Sequence, residues 1–222
     1  MLECIERETA PHPTHSVIWL HGLGADGNDF VPILPQLLRR EWPPLRFVFP
    51  HARIRPVTVN NGLPMRAWYD IAGFDLAQRQ DAAGVRASVA EVEKLIAREA
   101  GRGVPAGKVV LAGFSQGGAI ALATALQHAE PLAGTIGLST YLPLQDAMAQ
   151  DRRKENAGTP IFMAHGNFDP VVPMRLGETS CQLLRGFGHQ VEWHSYPMAH
   201  QVCPQEIVDL ADWLSERVFA MP

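Results

Sequence analysis

Gly113-Phe114-Ser115-Gln116-Gly117 places a serine between two glycines. An apolar run, Lys108 to Ala112, precedes it, and a helical pattern, Ala119 to Gln127, follows. In a strand–turn–helix setting this Gly-x-Ser-x-Gly spacing presents a hydroxyl as a nucleophile. The tight turn strains the serine backbone and leaves no space for Cβ groups two residues away. As a bare pattern it is weak, and a plain glycine-rich turn is its bland alternative. A serine attacks at neutral pH only when a base lies in hydrogen-bond reach and a carboxylate orients that base. The sequence must therefore supply an acid and a histidine downstream, each in a loop after a strand.

Nine histidines are present. His12, His15, His21 and His51 precede Ser115, His128 ends its helix, His189 comes before the last strand pattern and His194 falls inside it. His200 follows that strand in Pro197-Met-Ala-His200, just before the last helix, and is the expected base; a surface-loop histidine is the alternative. The expected acid is Asp169, the sole carboxylate in the loop His165-Gly-Asn-Phe-Asp169-Pro-Val-Val-Pro173. Helix capping or an Asx-turn is the other role of an Asp before Pro. Asp151 and Glu155 lie upstream in a charged segment that reads as a solvated face. His165, four residues from Asp169, hints at a metal pair, but no third ligand follows at a recognisable spacing, so no metal is expected.

Attack on a carbonyl also puts negative charge on its oxygen, which fixed N–H donors must receive. One expected donor is the amide of Gln116, at the start of the helix after Ser115. The second is expected from the loop His21-Gly-Leu-Gly-Ala-Asp-Gly-Asn-Asp29. A dinucleotide-binding reading of that glycine loop fails on charge, because Asp26 and Asp29 would repel a phosphate. An acyl site lined by Leu23, Leu63, Met65, Trp68, Leu142 and Val172 is expected, with ordinary core packing the alternative for each. Arg66 and Asp70 are the only charges there, so an uncharged acyl chain is the natural guest.

Alternating strand and helix patterns position these groups. Ser16 to Leu20, Leu45 to Phe49, Lys108 to Ala112, Leu132 to Leu138, Pro160 to Ala164 and Gln190 to Tyr196 read as strands. Helical stripes run through Phe30 to Leu38, Gln78 to Glu99, Ala119 to Gln127, Met174 to Phe187 and Gln205 to Val218. Pro32 and Pro35 blur the first of these. The segment between Leu138 and Pro160 reads as irregular and partly charged. Residues 51–75, with Met65, Trp68, Tyr69 and Phe74, read as a long loop containing a hairpin that turns at Asn61-Gly62. Such a loop acts as a lid or binding loop, or its aromatics pack on the sheet. The alternation implies an α/β fold, a mostly parallel central sheet with helices on both faces and its chemistry beyond the strands' carboxyl ends.

The 222 residues fit one domain, and 46% hydrophobic with 19% charged residues exclude a disordered chain. A net charge of −4 and no basic cluster beyond Arg152-Arg153-Lys154 argue against a nucleic-acid partner. Cys4, Cys181 and Cys203 are too few and too scattered for a disulfide framework or a zinc site, which fits a reducing compartment. Met1 to Glu8 holds three Glu and no apolar run, so no secretory signal is expected. Val109 to Ala129 is uncharged over 21 positions, long enough for a bilayer. Its polar interruptions and change of period read instead as a buried strand followed by a buried helix.

Trp19-Leu-His-Gly-Leu-Gly24, Pro50-His-Ala, Met65-Arg-Ala-Trp-Tyr-Asp70, Gly113-Phe-Ser-Gln-Gly-Gly118, His165-Gly-Asn-Phe-Asp-Pro-Val-Val-Pro173 and His200 together resemble the acyl-protein thioesterase/bacterial carboxylesterase family of α/β-hydrolases. The likeness runs from about residue 15 to the chain's end. It implies Ser115, Asp169 and His200 as a triad, with Leu23 and Gln116 giving the oxyanion-hole amides. Asn167 stands where members usually carry Asp, a departure outside the triad expected to be neutral. The resemblance further implies cytosolic, cofactor-free hydrolysis of short- to medium-chain acyl esters and thioesters through an acyl-enzyme, and often a homodimer. The substrate would be a small acyl ester or thioester, or an acylated protein, with no stable membrane insertion. Rival readings are a lysophospholipase or protein deacylase of the same fold, a non-catalytic binding protein, and a scaffold using the aromatic loop.

Overall fold

The computed structural model describes residues 1–73, 76 and 80–220. Its main sheet has seven strands: β1 (Cys4–Glu8), β2 (His15–Leu20), β3 (Leu45–Pro50), β6 (Val109–Phe114), β7 (Gly134–Leu138), β8 (Ile161–Gly166) and β9 (Val191–Tyr196). Their spatial order is β1-β3-β2-β6-β7-β8-β9. Only β1 runs antiparallel to its neighbour; the remaining pairs are parallel. The hairpin expected at Asn61-Gly62 is present as β4 (Ile54–Val57) and β5 (Leu63–Arg66), with both turn residues at positive φ.

Helices cover both faces, which is why the central strands are almost continuously apolar rather than alternating. One face packs on α1 (Leu34–Leu37) and α6 (Pro204–Trp213), where Trp19, Phe47, Phe162 and Trp213 form the core. The other packs on α2 (Ala82–Gly101), α3 (Gln116–Gln127), α4 (Gln145–Asp151) and α5 (Met174–Gly186), around Ile18, Val48, Leu111 and Met163. The uncharged stretch from Val109 splits into β6 and α3, both buried. Among the described residues no helix is long and apolar enough to cross a membrane.

Three elements differ from the sequence expectation. β1 is a strand despite its charges, because Glu6 and Glu8 meet Arg46, Arg98 and Arg102. The segment between Leu138 and Pro160, which reads as irregular, contains α4, whose Met148 is buried in the core. The helix expected from Gln78 begins at Ala82, where the Asp81 side chain caps it by accepting from the Gly84 amide; Gln78 itself lies outside the described residues, as does Phe74. The two prolines restrict the Phe30–Leu38 pattern to a 3₁₀ turn and the single turn of α1.

Strand order reverses between β2 and β6, since the chain winds from β2 outward to β3 and later from β6 outward to β9. In open parallel sheets the crevice at such a reversal is where ligands bind. The loop after β2 and the turn after β6 flank it.

A buried ion cluster ties the end of α2 to the amino ends of β2 and β3, away from that crevice. Glu99 is fully buried, accepting from Ser16 Oγ at 2.7 Å and Arg46 Nη1 at 2.8 Å, with Arg102 Nη1 at 3.1 Å. Burial pushes its pKa up, but the hydroxyl and guanidinium partners outweigh this and hold it below the usual value. A carboxyl depressed on folding stabilises above its unfolded pKa and loses that contribution as pH falls through the folded one. Glu99→Ala leaves Arg46 buried without this partner and should cost about 3 kcal/mol at pH 7 in urea unfolding. The gap to wild type should narrow below about pH 4, where the unfolded carboxyl protonates; an unchanged midpoint at pH 7 would contradict this role.

Candidate active site

Ser115 is the first residue beyond β6 and sits at φ 53°, ψ −121°. A non-glycine residue in such a conformation is held there by its surroundings. Its amide donates to Leu138 O at 2.8 Å, and its carbonyl accepts from Thr140 Oγ1 at 2.7 Å and Ala119 N at 3.1 Å. Gly117 explains the motif's second glycine: a Cβ there would overlap the carbonyl oxygens of Leu20 and His21. The turn can therefore lie directly against the end of β2.

His200 and Asp169 come from the loops after β9 and β8. Those loops are zipped by backbone bonds, Asn167 N to Tyr196 O at 2.8 Å and Phe168 N to Met198 O at 3.1 Å. They cross so closely that a Cβ on Gly166 would overlap the carbonyls of Met198 and Ala199. The result is a 2.7 Å contact between His200 Nδ1 and Asp169 Oδ2. The other oxygen, Oδ1, accepts from the amides of Val171 and Val172 at 2.8 and 2.9 Å. Burial raises the carboxyl's pKa, yet His165, His200 and these two amides reverse the effect and leave it well below the ordinary carboxylate range. Asp169 is thus a charged acceptor, which makes Nδ1 of His200 the donor and leaves Nε2 as the free nitrogen.

His165 is not paired for a metal. Its Nε2 donates to Val172 O at 2.8 Å and stands 3.5 Å from Asp169 Oδ2, so it fixes the acid's loop. Among the described residues no group of three or more His, Cys, Asp or Glu could hold a metal ion.

Ser115 and His200 open onto one cavity of about 320 Å³, which Leu23, Gln116 and Val172 also line. The Phe114 ring lies 4.7 Å from the imidazole, centroid to centroid. Tyr69, Ile71, Leu76, Tyr141 and Val171 complete most of the wall.

Of the residues expected in an acyl site, Leu23 and Val172 are on this cavity and four are not. Leu63 is 61% exposed on the outlying hairpin, paired with Val57. Met65 accepts through Sδ from Asn60 within the same hairpin. Leu142 is fully buried and borders a different cavity. Trp68 is buried as a bolt: its indole donates to His21 O at 2.9 Å, its amide to Gln116 Oε1 at 2.7 Å, and its carbonyl accepts from Ser88. The two charges also turn elsewhere, Arg66 to Ala52 O and Asp70 to Thr58. Spacing could not separate Trp68 from its neighbour Tyr69, because their directions depend on an irregular backbone. Tyr141 had a usable signal, since it follows the carboxyl end of β7.

The Gln116 side chain works like a short strand. It accepts from Trp68 N and donates Nε2–H to Tyr69 O, each at 2.7 Å, stitching the 67–69 segment to the start of α3. Gln116→Met keeps the volume but strands two buried backbone groups at 1–3 kcal/mol each. Urea unfolding should show a loss of about 3 kcal/mol; a loss under about 0.5 kcal/mol would show that water replaces the amide.

Relatives carry the same architecture. The sequence matches the phospholipase/carboxylesterase family over residues 3–218. Acyl-protein thioesterase 1 of Neurospora crassa is 40% identical over 92% of this chain and 87% of its own length. The Mycosarcoma maydis protein of the same name is 40% identical over 92% and 91%. Among solved structures, Arabidopsis thaliana SOBER1 superposes with a TM-score of 0.86 at 31% identity, over 91% of this chain and 98% of that one. Zea mays acyl-protein thioesterase 2 does so with 0.83 at 29% identity, over 96% and 99%. With its sheet, its serine turn and its sequence all in agreement, the chain belongs to the phospholipase/carboxylesterase family of α/β-hydrolases.

Proposed function

We propose that this hydrolase cleaves carboxylic esters and acyl thioesters by acyl transfer through Ser115, His200 and Asp169, within a single catalytic domain. The 2.7 Å pairing of His200 with a low-pKa Asp169, on the same cavity as a strained Ser115, carries the reading. His200 Nε2 takes the Ser115 proton as Oγ bonds to the carbonyl carbon. The tetrahedral adduct then collapses, the C–O or C–S bond to the leaving group breaks, and His200 returns the proton to the departing alcohol or thiol. Water repeats the sequence on the acyl-serine, releasing the acid and restoring the hydroxyl. Asp169 holds the imidazole in the useful tautomer and stabilises its cation.

The amides of Gln116 and Leu23 receive the developing oxyanion. That of Gln116 belongs to the first turn of α3, where N–H groups have no partner within the helix. For Leu23 the support is the preceding carbonyl. His21 Nε2 accepts from Ala52 N at 3.1 Å, so Nδ1 carries the proton and donates to Gly22 O at 2.7 Å. A trans peptide points its N–H opposite its C=O, so holding Gly22 O on the His21 side turns the Leu23 amide away from it. Burial pushes the His21 pKa down to about 4, so the ring keeps this neutral form at working pH.

The relatives are named for acyl-protein hydrolysis, which favours an acylated protein as substrate, and the mostly apolar cavity suits an uncharged acyl group. Three unpaired cysteines accord with a cytoplasmic setting. A fluorophosphonate probe should label wild type at Ser115, and Ser115→Ala should abolish labelling together with p-nitrophenyl ester and acyl thioester turnover. Asp169→Asn should keep the fold and lower kcat by about 10⁴-fold, as a wrong tautomer does in other triads. Full turnover by Ser115→Ala would reject the proposal.

A further inference from the structure

Two cavities meet at one side chain. Beyond the cavity that holds Ser115 lies a second of about 520 Å³, between α4 and α5, where Leu142, Leu144, Ala147 and Leu176 share the wall with the polar Gln80, Gln145, Asp146 and Thr179. Among the described residues, Tyr141 lines both. Its hydroxyl meets that of Tyr69 at 3.0 Å, and the two rings are 5% and 2% exposed. Building on the acyl-transfer reading above, we propose that the Tyr141 ring, pinned by Tyr69, is the wall that ends the acyl pocket and sets the longest acyl chain accepted.

Both backbones are fixed, so only the side chains can part. Tyr69 O accepts from Gln116 Nε2, while the residues flanking Tyr141 are held by Thr140 Oγ1 to Ser115 O and by Leu142 N to Ser180 Oγ. Burial raises the pKa of both phenols, so the pair stays neutral and its contact does not depend on pH near neutrality. With the ring in place the chain end must fit about 320 Å³; behind the ring stand Leu142, Leu144 and Leu176, the apolar side chains that a longer chain would meet once the ring is removed. A neutral hydroxyl pair is a weak latch compared with the packing of the ring itself. The ring is therefore the barrier, and Tyr69 sets how firmly it stands.

The test is a series of p-nitrophenyl esters of increasing chain length, read as log kcat/KM against carbon number. While each added methylene is buried, kcat/KM should rise by about fourfold, and the slope should break where the pocket is full. In Tyr141→Ala, and in the milder Tyr141→Leu, the break should move to longer chains. Tyr69→Phe, which frees the ring without removing it, should give a break between wild type and Tyr141→Ala. A wild-type break in both Tyr141 variants would overturn the proposal, and a wild-type break in Tyr69→Phe would overturn the pinning. Ser115→Ala run alongside separates the two levels: turnover there defeats the acyl-transfer reading, whereas an inactive Ser115→Ala with unmoved breaks defeats only the wall.

Discussion

Ser115 occupies a backbone conformation, φ 53° and ψ −121°, that an L-residue adopts only under compulsion. Such a residue costs of order 1–3 kcal/mol. Everything around it supplies the compulsion. β7 holds its amide through Leu138, Thr140 holds its carbonyl, and α3 continues from it without a break. Gly117 lets the turn press against the end of β2 with no side chain between. The sheet's reversal between β2 and β6 then places the hydroxyl in the crevice that the topology already opens.

A second constraint is charge. Asp169 is buried, and a buried carboxylate persists only when its oxygens are satisfied. Two amides, His200 and the nearby His165 do this, and the same contacts orient the imidazole. The zipper between the loops after β8 and β9 therefore serves stability and positioning together. On the opposite side of the crevice, neutral His21, Trp68 and Gln116 perform the corresponding task for the loop after β2.

The proposed nucleophile, acid and base could be picked out from the sequence because such residue types are few and their order along the chain is informative. Ser115, Asp169 and His200 each follow a strand, and strands buried on both faces read as plain apolar runs. The fold class followed from the same alternation. β1 was not legible, since its glutamates look like solvated charge until the arginines of β3 and α2 are brought across from distant sequence. α4 was hidden because one buried methionine in a short helix gives no period. The cavity wall was the least legible part. Trp68 bolts the site while Tyr69 lines it because their backbone beyond β5 is irregular, and Leu63 lies outside because the hairpin that carries it stands away from the cavity, which no local spacing reveals.

The central claim is that an acyl group passes through a covalent bond to Ser115. Rapid-quench mass spectrometry during turnover of a slowly released ester reads this bond directly. One acyl mass should be found on the peptide containing Ser115, rising before steady state and vanishing as substrate is spent. Sustained turnover with no acylated enzyme, or with the acyl mass on another residue, would contradict it.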